Sequence, residues 1–476
     1  MKTPILGASY VARSVNAADN RMINLYPEAV REGGKEAGFL SRCPGLRLVA
    51  TVGSGPVRGL WSHNNILYVV SGTEFYKVTS AYVATKIGDV SGTGPVSMAD
   101  NGTQLFIACN GPSYIYNYNT LAFGAITDED FPGAVNVGYL DGYFVFNEPN
   151  SQRIWITSLL DGTSIDPLEF ASAEGSPDGL VALIVDHREA WLFGTDSTEV
   201  WYNSGDADFP LTRIQGAFNE IGCVAAYSVA KLDNGIFWLG ADARGQGIVY
   251  RANGYTGQRI STHAIEYAIQ SYDTISDAIA YTYQQEGHAF YVLCFPTAGK
   301  TWVYDVAVDS WHERAGMLNG EFVRHRSNCH AAFNNVPHVG DYENGKVYVF
   351  DLYVYADDSQ PQKWLRSWRA FPPGGNNLTR TVHHSLQLDC ETGVGLIVGQ
   401  GSDPQVMLRF SDDGGHTWSN EKWVSMGAIG GYATRAIWRR LGMTNKLRDR
   451  VYEVSGTDPV KLIIVGAELI LSGTNG

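Results

Sequence analysis

Several residue groups in this 476-residue chain have the types needed for catalysis or metal binding. Asp128-Glu129-Asp130 and the pair Asp206 and Asp208 are carboxylates of the kind that hydrolyse glycosides. That chemistry needs two carboxyl groups held across one bond at a set separation, and loop acids next to each other in sequence give no such geometry. His325, Cys329 and His330 are good zinc ligand types, but no fourth ligand stands at a recognisable spacing. His383 and His384 are neighbours on an alternating strand, so they point to opposite faces and cannot form one site alone. No G-x-S-x-G, P-loop or dinucleotide fingerprint is present. The expectation is a chain with no catalytic residue, no metal site and no cofactor, and so not an enzyme.

One motif is sharper. Ser411-Asp412-Asp413-Gly414-Gly415-His416-Thr417-Trp418 reads S-x-D-x-G-x-T-W and resembles the Asp-box of sialidases and related propellers. Its physics is that of a hairpin turn: the Ser and Asp side chains bond turn amides, Gly takes the positive φ, and Trp anchors the returning strand. A single box is expected to be a fold staple and not a sugar-cleaving centre.

The elements that must position these groups repeat. A short apolar strand, a turn and a second strand rich in Tyr and Trp recur seven times. The second strands centre on Tyr76, Ile115, Trp155, Trp201, Val249, Val303 and Tyr348, with gaps of 39, 40, 46, 48, 54 and 45 residues. The first strands centre on Leu67, Phe106, Phe144, Leu192, Phe237, Tyr291 and His338. One four-stranded propeller blade takes roughly 40–50 residues. The fold class expected is therefore all-β: a β-propeller of about seven blades with a smaller C-terminal β domain. Asn101-Gly102, Asp141-Gly142, Asn234-Gly235 and Asn344-Gly345 are the expected hairpin turns. Ser204–Ala217 and Ala241–Gln246 are expected to be inserted loops, and Thr262–Ser271 a brief helix with Ile265, Ala268 and Ile269 on one face.

The expected division is 1–55 as an N-terminal arm and lead-in, 56–360 as the propeller, and 361–476 as a C-terminal sandwich or extra blade. Met22–Pro27 is an extended apolar strip that would pack on a neighbouring subunit or close the ring of blades. Pro372–Asn377 is read as a linker or wide turn.

Net charge is −14, which argues against wrapping DNA by phosphate neutralisation. Positive charge is bunched late, at Arg366, Arg369 and Arg380 and then from Arg435 to Arg450. The six cysteines, at 43, 109, 223, 294, 329 and 390, form no CxxC pair. Cys109, Cys223 and Cys294 sit in apolar or small-residue runs and read as buried thiols, so synthesis in a reducing cytosol is expected. The N-terminal stretch lacks a signal-peptide core, and no segment approaches a membrane span.

Four stretches carry a resemblance over most of the chain. These are Asn24-Leu25-Tyr26-Pro27 followed by Phe39-Leu40 and Pro44-Gly45-Leu46; the run Gly88 to Ala99; Glu174-Gly175-Ser176-Pro177-Asp178-Gly179; and Phe410-Ser411-Asp412-Asp413-Gly414 with Trp438-Arg439-Arg440-Leu441-Gly442. Together they resemble the packaged-DNA stabilisation proteins, also called tail accessory or hub proteins, of short-tailed bacteriophages of enterobacteria. The resemblance implies a virion structural protein made in the host cytoplasm. It implies a homo-hexamer beneath the portal and its adaptor ring, the head-to-tail connector. Such a ring closes the exit channel with a tail needle and gives tailspikes an attachment point. Double-stranded DNA would pass without sequence-specific binding, and no membrane would be involved. An acidic lumen would repel phosphates during ejection.

The best interface candidates are Asn24, Leu25, Tyr26 and Pro27 in the arm, Arg42, Pro44 and Gly45 in the following turn, and Arg435, Arg439, Arg440, Arg448 and Arg450 in the late basic run, with internal packing as the equal alternative for each. The alternative function is a carbohydrate-binding or carbohydrate-active propeller, such as a receptor-binding tail protein. It would need a concave Trp/Tyr cluster with paired carboxylates on one face. A docking propeller of a host cell is a third reading.

Overall fold

The computed structural model describes the chain except residues 15–16, 31, 174, 243–244, 372–379, 446–449 and 474–476. Arg448 and the Pro372–Asn377 turn therefore lie outside the described residues.

Among the described residues, seven sheets of at least four strands form the propeller. Their inner strands are Val57–His63, Ser97–Asp100, Val137–Leu140, Leu180–Asp186, Ala230–Leu232, Ile279–Gln285 and Ser327–Phe333. They follow one another around a ring, and the seventh packs on the first. Every repeat centre read from sequence falls in the second or third strand of a blade. The alternation of those strands sends apolar side chains to both faces, so each blade packs on two neighbours. Seven separate apolar clusters fill the seven spaces between blades, which decides the blade count. The first includes Tyr68, Phe75 and Ile107 between blades one and two.

Turn chemistry explains the hairpins. Blades one, three, four, five, six and seven turn from first to second strand through two consecutive residues of positive φ: Asn64-Asn65, Asp141-Gly142, His187-Arg188, Asp233-Asn234, Glu286-Gly287 and Asn334-Asn335. Blade two uses Gly102 at φ +85°, with the Asn101 side chain accepting from the Thr103 and Gln104 amides. Two expectations are corrected. The turn at Asn234 is centred one residue earlier than Asn234-Gly235. Gly345 is not a positive-φ glycine at all. A Cβ there would come within 2.3 Å of the Val52 carbonyl oxygen, so glycine is required by close backbone approach.

The inserted loops are also shorter than expected. Leu211–Asn219 is the outer strand of blade four, and the Ala241–Gln246 segment is mostly consumed by the strands Gly235–Asp242 and Gly245–Asn253. The helix is present as His263–Gln270, with Thr262 capping its first turn and Ile265 and Ile269 buried against blades five and six.

The ring closes by a strand from the opposite end of the sequence. Gly45–Thr51 pairs antiparallel with Lys346–Asp351 as the outer strand of blade seven, matching Leu46 with Phe350. Blade six is not closed off. Its sheet continues through Met22–Ile23 into Trp364–Arg369, Val451–Gly456, Gln405–Ser411 and Lys422–Ser425. A second sheet, Leu25–Ala29, Gly38–Arg42, Ile463–Gly473, Thr381–Cys390 and Ala436–Met443, covers it. Trp364, Trp368, Leu386, Val406, Trp438, Leu469 and others fill the space between as a sandwich core.

Candidate functional site

The groups that looked capable of chemistry are bonded into the fold. Asp128 accepts from the Ile165 amide at 3.0 Å and the Asp130 amide at 3.0 Å. Asp206 accepts from the Asp208 amide at 3.1 Å. His325 is buried against Ser327, 2.7 Å away, and burial pushes it down to about 3. Burial likewise holds His330 at about 4. His383 is buried between Thr381 and Tyr452, while His384 is exposed, as strand alternation requires. All six cysteines are free thiols. Among the described residues no three His, Cys, Asp or Glu side chains stand where they could hold a metal ion. No helix among them is long and apolar enough to cross a membrane.

The S-x-D-x-G-x-T-W motif closes its turn as its residue types imply. Ser411 Oγ accepts from the Gly415 amide at 2.8 Å, and Asp413 accepts from the Thr417 amide at 2.9 Å and hydroxyl at 2.6 Å. The Thr417 bonds hold Asp413 well below the usual carboxylate range. Trp418 bonds back to the Gly415 carbonyl and lies under the Arg409 guanidinium.

The arm and turn singled out as partner contacts are internal. Of the two readings of these residues, internal packing is the one the fold shows: Asn24, Leu25, Tyr26, Arg42, Pro44 and Gly45 are buried within the chain, and Pro27 is half-buried. The reason is the junction they build. Ile23 pairs with Glu313 of blade six on one side and Leu365 of the sandwich on the other. Asn24 sits at φ +53°, a region asparagine tolerates. Its amide donates to the Ala315 and Lys363 carbonyls at 2.8 and 2.7 Å and accepts from the Ala315 amide at 3.0 Å. On the strand Leu25–Ala29, Leu25 enters the sandwich core, and Tyr26 enters the core between blades six and seven. One two-residue step thus pins both domains.

Arg42 is the centre of the junction. It donates to the Asp458 and Val460 carbonyls at 2.6 and 2.9 Å, to the Tyr355 carbonyl at 3.2 Å, and to both the side chain and the backbone of Gln362. Burial lowers it to about 10, with the Asp357 carboxylate opposing, so it stays charged at neutral pH. Burial raises Asp357 to about 6 against the Arg42 charge. Gly45 must be glycine: a Cβ would lie 2.5 Å from the carbonyl oxygens of Val354 and Ala356. Arg21 grips Glu313 with two bonds of 3.1 and 3.2 Å, and Arg366 donates to the Ile5 and Ala8 carbonyls.

In the late basic run, Arg450 is also internal. It is 1 % exposed and pairs with Asp412 through bonds of 2.6 and 2.8 Å. Arg435, Arg439 and Arg440 are exposed. Sequence reasoning gave no role to Arg314. It is fully buried, its backbone amide donates to the Thr301 carbonyl at 3.0 Å, and its guanidinium lies over the rings of Tyr283, Phe290 and Phe350 at 5.0–5.4 Å. Nothing in its neighbourhood in sequence marks it.

The propeller's central channel encloses about 450 Å³, with Arg58, Asp100, Asn136, Lys231 and His330 among its lining residues. That is the size of an ordinary small-molecule pocket. A duplex cannot thread it.

A propeller stitched to a sandwich through a shared sheet and buried arginines defines an all-β protein of two domains. Residues 1–355 match the family described as Bacteriophage P22 Gp10, β-propeller, and residues 363–471 match Bacteriophage P22 Gp10, β-sandwich. The chain belongs to this family. It is 24 % identical over 446 residues to the tail hub protein gp10 of Salmonella phage P22, covering 90 % of each chain. Among solved structures, the extracellular domain of a hybrid two-component system protein of B. thetaiotaomicron is 11 % identical with a TM-score of 0.44, covering 86 % of this chain and 58 % of that one. The N-terminal domain of Nup159 is 11 % identical with a TM-score of 0.40, covering 68 % of this chain and 97 % of that one. Neither likeness bears on ligand or partner.

Proposed function

We propose that this chain is a structural component of a bacteriophage tail. It forms a hexameric hub below the portal and adaptor ring, retains packaged DNA, and provides attachment for a tail needle and tailspikes. The role is mechanical, and no residue is assigned a catalytic step. The observation that carries the reading is the family match of both domains in the same order, together with a tail hub relative aligned along 90 % of each chain. The junction supports it, because a hub that resists the pressure of packed DNA needs domains that do not swing. The duplex would pass through the lumen between copies, since the propeller's own channel is too small.

The test is genome retention. Filled heads assembled without this chain are expected to release nuclease-sensitive DNA, and adding the purified chain is expected to restore protection. Heads that stay sealed without it would contradict the reading.

A further inference from the structure

The two ends of this molecule carry opposite charge. Residues 119–170, in blades two and three, hold eight carboxylates and one cation, Arg153; Glu129, Asp130 and Asp166 are exposed, whereas Asp141 pairs with Arg188 of blade four at 2.8 Å. Their loops also expose aliphatic side chains: Leu121, Leu159, Leu160 and Leu168 are 59–79 % exposed. Asp128 bonds the Ile165 amide, and Asn101 bonds the Leu160 carbonyl, so these loops form one rim. Leu121 and Leu160 both sit at φ +60°, where a bulky residue is an outlier.

The sandwich edge is the reverse. Lys422–Ser425 and Ala436–Met443 are the last strands of its two sheets and lie together, joined by the Trp438 indole bonding the Lys422 carbonyl at 2.7 Å. Residues 421–443 hold Lys422, Arg435, Arg439 and Arg440 against Glu421 alone. Trp423 and Tyr432 are 61 % and 77 % exposed. Trp, Tyr and Arg are the residues that dominate protein interfaces energetically.

Topology keeps these two surfaces apart within one chain. The sandwich grows outward from blade six, and Lys422–Ser425 is the ninth strand of that continuous sheet. Nine strands span roughly 40 Å. Blades two and three are each three steps from blade six around the ring, on its far side.

We propose that the basic, aromatic edge of the sandwich docks on the acidic, aliphatic rim of blades two and three of a second copy of this chain. The contact is head-to-tail, uses different patches on the two copies, and closes into a ring when the rotation per copy permits. Opposite charges select the partner and speed encounter, and the apolar side chains supply burial. The pairing rests on the multi-copy reading above.

The test is sedimentation velocity of the full chain over a concentration series at low and high salt. Wild type is expected to self-associate, and salt to weaken this. The triple change Arg435→Glu, Arg439→Glu and Arg440→Glu, or Glu129→Lys, Asp130→Lys and Asp166→Lys, is expected to weaken association at least tenfold. An equimolar mixture of the two variants is expected to recover it, because every junction in an alternating assembly is again complementary. If charge reversal unfolds the chain, Trp423→Ser and Leu160→Asn, both at exposed positions, are expected to give the same loss. A wild type that stays monomeric throughout overturns the pairing. So do variants that associate like wild type, or a mixture that recovers nothing. Variants that associate like wild type leave the ring itself standing on other surfaces, whereas heads sealed without this chain would remove the hub reading.

Discussion

Arg42 and Asp357 show how charge is used inside this fold. Arg42 is tolerated in the interior because its donors meet backbone carbonyls that would otherwise be orphaned. Replacing Arg42 by Met strands those carbonyls, and a loss of about 3–5 kcal/mol is expected in urea unfolding. Asp357 makes the opposite contribution. Burial raises it from 3.8 to about 6 in the folded chain. The folded state therefore holds the proton more tightly than the unfolded state, and the stability this brings is full below about pH 4 and lost as pH rises through 6. The expected size is on the order of 2–3 kcal/mol. Asp357→Asn is predicted to stabilise the chain at pH 7.5 and to leave it nearly unchanged at pH 3. An Asn variant less stable than wild type at pH 7.5 would contradict that. His383 works in the other direction: burial and the Arg450 charge lower it to about 3. Its contribution is present above pH 6.5 and fades as the solution is acidified toward 3. Unfolding midpoints of wild type alone would mix the two effects, so the comparison must be made variant against wild type at each pH.

At the scale of elements, the hairpins were legible because each is a local event: two apolar strands, a two-residue turn, and a repeat that recurs. Long-range pairing was not legible. Gly45–Thr51 is only half-buried and carries no aromatic residue, so it reads as a lead-in, yet it closes blade seven by pairing with strands about 300 residues away. Leu25–Ala29 contains Pro27 and lies among polar residues, so it reads as an arm, yet it is a sandwich strand. The candidate contacts were open between partner and packing for the same reason. Asn24, Arg42 and Gly45 are conspicuous in sequence, but their partners at Ala315, Gln362 and Ala356 come from distant segments. Arg435, Arg439 and Arg440 were legible as a charge run because exposure needs no partner. The closing strand yields a prediction. Leu46 is 1 % exposed in the core between blades six and seven. Leu46→Ala is expected to lose about 2–5 kcal/mol and to raise amide hydrogen exchange along both Gly45–Thr51 and Lys346–Asp351. Exchange confined to the mutated strand would show that it does not close the ring cooperatively.

For the whole molecule, propeller and sandwich share a sheet, a two-sided strand and a buried arginine network, so they should behave as one mechanical body. Calorimetry is expected to show a single transition in which the two domains unfold together. Two separated transitions would mean that the junction is a hinge. Rigidity is what the proposed hub requires, and the opposed charge at the two ends offers a way for copies to order themselves around a lumen. The measurement that tests this account most directly is native mass spectrometry of the chain mixed with a dodecameric portal–adaptor assembly. Six bound copies per assembly is the predicted result. A chain that ignores the assembly, at concentrations where both are folded, would contradict it.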